Sequence, residues 1–190
     1  MKNNKDMIRK IALVGILTAL AAVLSFIKIP IFSQVTITLV LPVVVIGGAL
    51  CGPIVGAWLT VIPAIVAIPE ATLFVQYSPA GGILTMLLKG LLAGFLSALA
   101  YKLLSKKHPT GAVFCSAIIA PIVNTGVFFL GCFIFIIDDL MVLANEAGVG
   151  MGMLLVGLGG INFVIELVLN IILCPSILRI IEIAKKRFVK

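Results

Sequence analysis

Three polar residues stand four positions apart in a late segment of the chain that is otherwise almost wholly aliphatic: Asn162, Glu166 and Asn170. In an α-helix this spacing puts them on one face, one turn apart. An acidic side chain in the middle of a membrane helix costs on the order of 3 kcal/mol even on a lenient insertion scale. We therefore expect this face to meet a cavity or another helix rather than lipid, and the pattern predicts a site for a polar ligand.

Two further polar residues are expected to share that site. Lys89 lies within the fourth apolar segment, and Asn124 lies in the fifth, three residues after Pro121. Lys89 either contacts the ligand or only pairs with Glu166, since a lysine and a glutamate inside one bundle neutralise each other. The predicted substrate-binding residues are thus Asn124, Asn162, Glu166, Asn170 and Lys89.

The residue types that most enzymes need are scarce. The single histidine, His108, lies in a basic stretch, and the 4 cysteines sit in apolar surroundings without metal-ligand spacing. No nucleophile elbow, zinc-binding His-Glu-x-x-His helix or phosphate-binding loop occurs. The sequence predicts a protein that is not an enzyme and that needs no metal or cofactor.

The elements that carry these residues are expected to be membrane helices. Hydrophobic residues make up 62% of the chain and charged residues 11%, whereas soluble domains carry about 25% charged residues. We predict one all-α membrane domain over residues 1–190, with six transmembrane helices. The predicted spans are residues 8–27, 35–50, 53–68, 82–104, 111–137 and 153–183.

The second and third spans are short. The turn at Cys51, Gly52 and Pro53 divides them, and the two are alternatively one bent or re-entrant segment. The first span resembles the apolar part of a secretion signal, but its apolar sequence continues to Ile27, so we expect a helix that is retained.

Charge supports an even number of spans. The chain has a net charge of +7, and most basic residues fall in three clusters: before the first span, after the fourth and after the sixth. With six spans all three clusters lie on one side, which the positive-inside rule makes cytoplasmic, together with both termini. Such an edge attracts anionic membrane lipid, so no nucleic-acid partner is needed.

The outer connections, residues 28–38, 69–81 and 138–152, are longer than the inner turns. This asymmetry predicts a site that opens outward, unless these loops merely join helix ends. Phe32, Phe74 and Tyr77 lie in the outer connections. They are candidate gating residues, and an aromatic belt at the membrane interface explains them equally well.

Small residues recur at helix-packing spacing in the first span. Gly15 and Ala19 are four apart, as are Thr18 and Ala22. Because small side chains permit close approach of membrane helices, this face is expected to contact another helix, either in this chain or in a partner. Gly90 and Gly94 form a similar face in the fourth span.

With these features together, the chain resembles the substrate-binding (S) components of energy-coupling-factor (ECF) vitamin transporters. The resemblance covers nearly the full length and is closest to pantothenate-type or unassigned members. The segments that carry it are residues 11–25, 28–30, 35–42, 52–56, 88–94, 120–126 and 162–166.

The resemblance implies a subunit in the plasma membrane of a bacterium that captures a vitamin-like molecule with high affinity. It also implies docking on a module of one transmembrane coupling protein and two ATPases, through a small-residue surface on the first helix. Gly15 and Ala19 are the matching pair, with glycine where the family has alanine at the first position, and Ala22 is expected to belong to the same docking surface. Pantothenate, folate, riboflavin, a pyrimidine precursor and a queuosine precursor remain possible ligands. The alternative is a stand-alone secondary transporter or channel for a small polar solute, with Glu166 carrying a coupling proton.

Overall fold

The protein is a bundle of apolar helices. The structure, a computed structural model, describes residues 2–27, 29–32, 35–37, 39–70 and 72–188. Within these ranges, four helices are long and apolar enough to cross a membrane: Met7–Phe26, Pro79–Leu104, Pro109–Phe135 and Met151–Lys186. They coincide with the first, fourth, fifth and sixth predicted spans, so the helical membrane character is confirmed. Two shorter apolar helical segments, Val40–Cys51 and Pro53–Ala67, stand where the second and third spans were predicted.

The beginning of the second predicted span was wrong. After helix α1 (Lys2–Phe26) the chain forms an antiparallel hairpin of β1 (Ile29–Phe32) and β2 (Val35–Ile37), and helix α2 (Val40–Cys51) begins only after it. The strand residues Val35, Thr36 and Ile37 are all β-branched, which favours extended backbone once a pairing partner is present.

The third predicted span is not one helix but two. Gly52 has a φ of 101°, a left-handed conformation that suits glycine, and it separates α2 from α3 (Pro53–Leu59). Helix α4 (Val61–Ala67) follows after Thr60. Pro63 explains the break, because its ring nitrogen cannot donate to the carbonyl of Leu59 and its ring crowds that carbonyl.

The remaining elements run from a short 3-10 turn to the long last helix. In order they are the 3-10 turn Ile68–Glu70, α5 (Thr72–Tyr77), α6 (Pro79–Leu104), α7 (Pro109–Phe135), α8 (Ile137–Glu146), α9 (Met151–Leu155), the π turn Val156–Gly160 and α10 (Ile161–Phe188). The three long connections are therefore structured: the first holds the β-hairpin, the second α5 and the third α8.

Close backbone contact joins α3 to α6. A methyl group on Gly94 would collide with the carbonyl group of Gly56, and one on Gly56 would lie 2.5 Å from the carbonyl oxygen of Gly94. Gly90 packs in the same way against Thr60, whose carbonyl oxygen would lie 3.2 Å from an added methyl. The prediction that the small-residue face of the fourth span contacts another helix is confirmed.

A buried hydrogen bond joins α6 to α7. Ser116 Oγ donates to the carbonyl oxygen of Ser97 over 2.8 Å, and both side chains are fully buried. Without water as a competitor, such a bond holds the two helices in register. The hairpin of α6 and α7 thereby forms a fixed wall beside the cavity described next.

Candidate functional site

A cavity of about 190 Å³ lies among the helices. It is lined from the end of α1, the start of α2, the α3–α4 break, and from α6, α7 and α10. Most of the lining is apolar, which is typical of small-molecule sites. Its polar residues are Ser25, Thr60, Lys89, Asn124, Asn162 and Glu166.

Asn162, Glu166 and Asn170 form a polar stripe along α10, and this helix places two of the three at the cavity. Asn162 and Glu166 both line it, one helical turn apart. Asn170 is buried one turn further on, and it is not among the lining residues. Its Nδ2 donates instead to the carbonyl oxygen of Glu166 over 3.0 Å. The stripe therefore divides into a cavity-facing part and a residue that bonds to its own helix.

Glu166 is the most deeply buried acidic group at the cavity. Its side chain is 5% exposed, and its Oε2 has no hydrogen-bond partner among the described residues. Oδ1 of Asn162, the neighbouring acceptor, is likewise buried without a partner in this part of the chain. A buried acceptor without a partner costs about 1–3 kcal/mol, and more when it is charged. The cavity thus presents acceptors that favour a hydrogen-bond donor.

Lys89 approaches the cavity from α6. Its Nζ lies 5.4 Å from the ring centroid of Phe128, within the range of a cation–π interaction. Oε2 of Glu166 has no hydrogen-bond partner among the described residues, Lys89 included. At least this oxygen of the carboxylate is therefore available to a ligand.

A second cavity of about 70 Å³ adjoins the first. Lys89, Asn124 and Asn162 line both cavities, whereas Glu166 lines only the larger and Phe128 only the smaller. The smaller cavity also touches Gly159 in the π turn. Turns of this kind are rare in proteins, and those that do occur are frequently found at functional sites.

Two of the three predicted gating aromatics, Phe74 and Tyr77, line neither cavity. Phe74 is 2% exposed and packs edge-on against Phe128, with ring centroids 5.6 Å apart, while Tyr77 is 41% exposed. Neither is among the described residues that line a cavity. Phe32 lies in β1, and its side chain is outside the described part of the structure.

Phe128 lines the smaller cavity but was not predicted from the sequence. It follows Asn124 by four positions, so the two occupy one face of α7. That spacing was visible in the sequence, but an aromatic residue in a membrane helix is ordinarily a packing residue. Ser25 and Thr60 were missed for a similar reason, since each bonds to its own helix: their hydroxyls donate to the carbonyl oxygens of Ala21 and Ala57 over 2.6 Å.

The small residues of α1 are on its outer surface. Gly15 and Ala19 are exposed, Ala22 is half-buried, and no atom would lie within 4 Å of a methyl group on Gly15. The opposite face packs against the bundle through Leu17, Ala21 and Ser25. Within the described part of the chain, the surface around Gly15 and Ala19 therefore contacts no other helix.

Apolar helices of membrane length around a cavity with polar groups define a multi-pass membrane protein built to hold a small solute. The comparison with known families agrees: residues 9–178 match the family of ECF transporter, substrate-specific components, and the chain belongs to that family. It is therefore the substrate-binding subunit of a transporter and not an enzyme. No curated protein and no solved structure matches the chain significantly.

Proposed function

We propose that this subunit captures a vitamin or a related micronutrient outside a bacterial cell, with high affinity, and delivers it through a shared energising module. That module would consist of one transmembrane coupling protein and two ATPases. The subunit would lie in the plasma membrane with six spans and both termini in the cytoplasm. The ligand would contact Glu166, Asn162, Asn124 and Lys89, while Asn170 would lie one turn beyond the ligand, bonded to the backbone of its own helix.

The observation that carries the proposal is the unpartnered Oε2 of Glu166 at the wall of a cavity among the helices. Intramembrane acids are costly and are retained mainly where they function. The volume of about 190 Å³ is below the range of about 300–1,000 Å³ that is usual for sites of drug-sized ligands. This supports the smaller candidates, pantothenate and the pyrimidine or queuosine precursors, over folate and riboflavin.

The position of the cavity along the helices supports capture from outside. Lys89 lies in the first half of α6, and Asn162 and Glu166 lie in the first turns of α10, so all three are near the β-hairpin, α5 and α8. The basic clusters lie at the other helix ends, where the positive-inside rule puts the cytoplasm. The ligand would thus arrive from the side of the structured connections.

The exposed small residues of α1 support docking on a partner. Because Gly15 and Ala19 have small side chains on the exposed face of α1, the backbone of another membrane helix can approach closely there. The open space around Gly15 favours a helix from the coupling protein over one from this chain.

Two experiments test the proposal. Mass spectrometry of small molecules that co-purify with the protein is expected to identify one bound micronutrient. Reconstitution in liposomes is then expected to give uptake of that compound only when the coupling protein, both ATPases and ATP are present.

The second candidate function is a stand-alone secondary transporter. The burial of the Glu166 carboxyl group favours it, because such a group can carry a coupling proton across the membrane. Uptake by this chain alone, driven by a proton gradient and lost on Glu166→Gln, would establish this function and contradict the first proposal.

A further inference from the structure

The distribution of charge over the two cavities restricts the ligand. Among the described residues that line them, Lys89 and Glu166 are the ionisable ones, and they carry opposite charges. The lining therefore has no net formal charge. In a medium of low dielectric constant, a ligand with a net charge would introduce a charge that the lining does not compensate.

The two charged groups differ in the cavities that they line. Glu166 lines only the larger cavity. The ammonium group of Lys89 lies over the ring of Phe128, which lines only the smaller one. The larger cavity is thus lined by both charged groups, whereas Lys89 is the one of the two that also lines the smaller cavity.

The unpartnered atoms specify the hydrogen bonding of the ligand. Oε2 of Glu166 and Oδ1 of Asn162 are both acceptors, buried without a partner among the described residues. Because only 5% of Glu166 is exposed, water outside the bundle does not supply the missing hydrogen bond. Lys89 offers only donors.

We infer that the solute is a small molecule of zero net charge with two unlike ends: an N–H donor group at Glu166 and Asn162, and an oxygen acceptor at Lys89. The inference rests on the proposed function and specifies the ligand class of the same site. Two chemistries share this description. One is a zwitterion with an ammonium and a carboxylate group, and the other is a neutral heterocycle with an N–H edge and a carbonyl oxygen. A net anion such as pantothenate is disfavoured even though its size is suitable.

Five probes separate these possibilities on the purified full-length protein in lipid nanodiscs. β-Alanine represents the zwitterion and isocytosine the neutral heterocycle. Propionate carries only the acceptor, propylamine carries only the donor, and pantothenate carries both with a net negative charge. Dissociation constants come from the rise of the unfolding temperature with probe concentration.

We expect β-alanine or isocytosine to bind at least tenfold more tightly than each of the other three probes, and whichever binds better identifies the chemistry. Equal or tighter binding of propionate, propylamine or pantothenate would overturn the inference. So would the absence of binding by all five. Either result leaves the proposed function to its own liposome test, which does not depend on these probes.

Variants test the assignment of the two ends. Glu166→Gln and Lys89→Gln are each expected to weaken binding of the better probe at least tenfold. Glu182→Gln and Lys102→Gln are matched controls, because each is exposed on the same helix outside both cavities, and they should bind like the unmodified protein. The double variant Lys89→Gln/Glu166→Gln keeps the lining neutral and guards against misfolding of the single variants. Full affinity in that variant would overturn the inference.

Discussion

Asn170 donates from its Nδ2 to the carbonyl oxygen of Glu166 over 3.0 Å, so the two residues are joined through the helix backbone. This contact separates their roles. The carboxylate of Glu166 is directed to the cavity, whereas the amide of Asn170 stabilises the turn that carries it.

Glu166→Gln is expected to weaken binding of the co-purifying solute at least tenfold, which corresponds to about 1.4 kcal/mol. The substitution keeps the shape of the side chain but replaces one acceptor oxygen by a donor and removes the charge. Isothermal titration calorimetry on purified protein measures the change. Glu182→Gln, on the exposed side of the same helix, is the control. Unchanged affinity in Glu166→Gln would remove this residue from the site.

Asn170→Leu is expected to change the affinity less than threefold, about 0.6 kcal/mol. Leucine removes the Oδ1 atom, which is buried without a partner among the described residues, together with the Nδ2 bond to Glu166. The carbonyl of Glu166 keeps its backbone donor within the helix, and removal of the unpartnered acceptor avoids a cost of about 1–3 kcal/mol, so we expect little loss of stability. Calorimetry and thermal unfolding check both statements. A loss of affinity as large as that of Glu166→Gln would show that Asn170 contacts the ligand.

Gly94→Ala is expected to lower the free energy of unfolding by about 1–3 kcal/mol, the usual cost of overpacking. The added methyl group collides with the backbone of Gly56, which cannot move without shifting α3. Gly126→Ala is the control, because no atom lies within 4 Å of its added methyl group. Denaturation in mixed detergent micelles compares the two variants. Equal stability of the Gly94→Ala and Gly126→Ala variants would mean that α3 and α6 move apart at this contact with little cost.

Ala19→Leu is expected to abolish uptake while leaving binding of the solute unchanged. A leucine on the exposed face of α1 keeps a partner helix at a distance but does not reach the cavity. Cys115→Leu adds bulk to an exposed position on α7 and should permit both activities. Uptake in cells and calorimetry on purified protein give the two readouts. Equal loss of binding and uptake in Ala19→Leu would indicate that this face packs within the chain.

Cysteine labelling tests the proposed topology. In a variant whose four cysteines are replaced by alanine, a cysteine at Asp138 should react with a membrane-impermeant maleimide in intact cells. One at Lys106 should react only after the cells are permeabilised, because both positions are exposed but lie at opposite ends of α7. The reverse pattern would place the termini outside.

Much of the fold was predictable from hydropathy, since four segments are longer than a bilayer requires. The hairpin around Val35 and the break at Thr60 were not. Apolar β-branched residues suit either a buried helix or a strand, and only the pairing with Ile29–Phe32 decides between them. The consequence of Pro63 also depends on context, because some membrane helices accommodate an internal proline, as α7 does at Pro121.

The site was predictable where helical spacing alone decides which residues share a face. Asn162 and Glu166 illustrate this, and the sequence also indicated Lys89 and Asn124. The different position of Asn170 was not predictable, because the point along α10 at which the cavity ends depends on how the other helices pack. The smaller cavity depends on how Phe128 meets the π turn, which is a tertiary relationship.

The break between α3 and α4 gives the cavity a further role. Because Pro63 has no N–H group, the carbonyl of Leu59 lacks its usual helical donor, and backbone of this kind is tolerated at membrane depth where it is buried in protein or lies beside a polar space. Thr60 and Pro63 both line the cavity. The space at the cavity wall therefore also leaves this helix junction undisturbed, so that a bulky side chain at Ala64 is expected to weaken the junction as well as to exclude the solute.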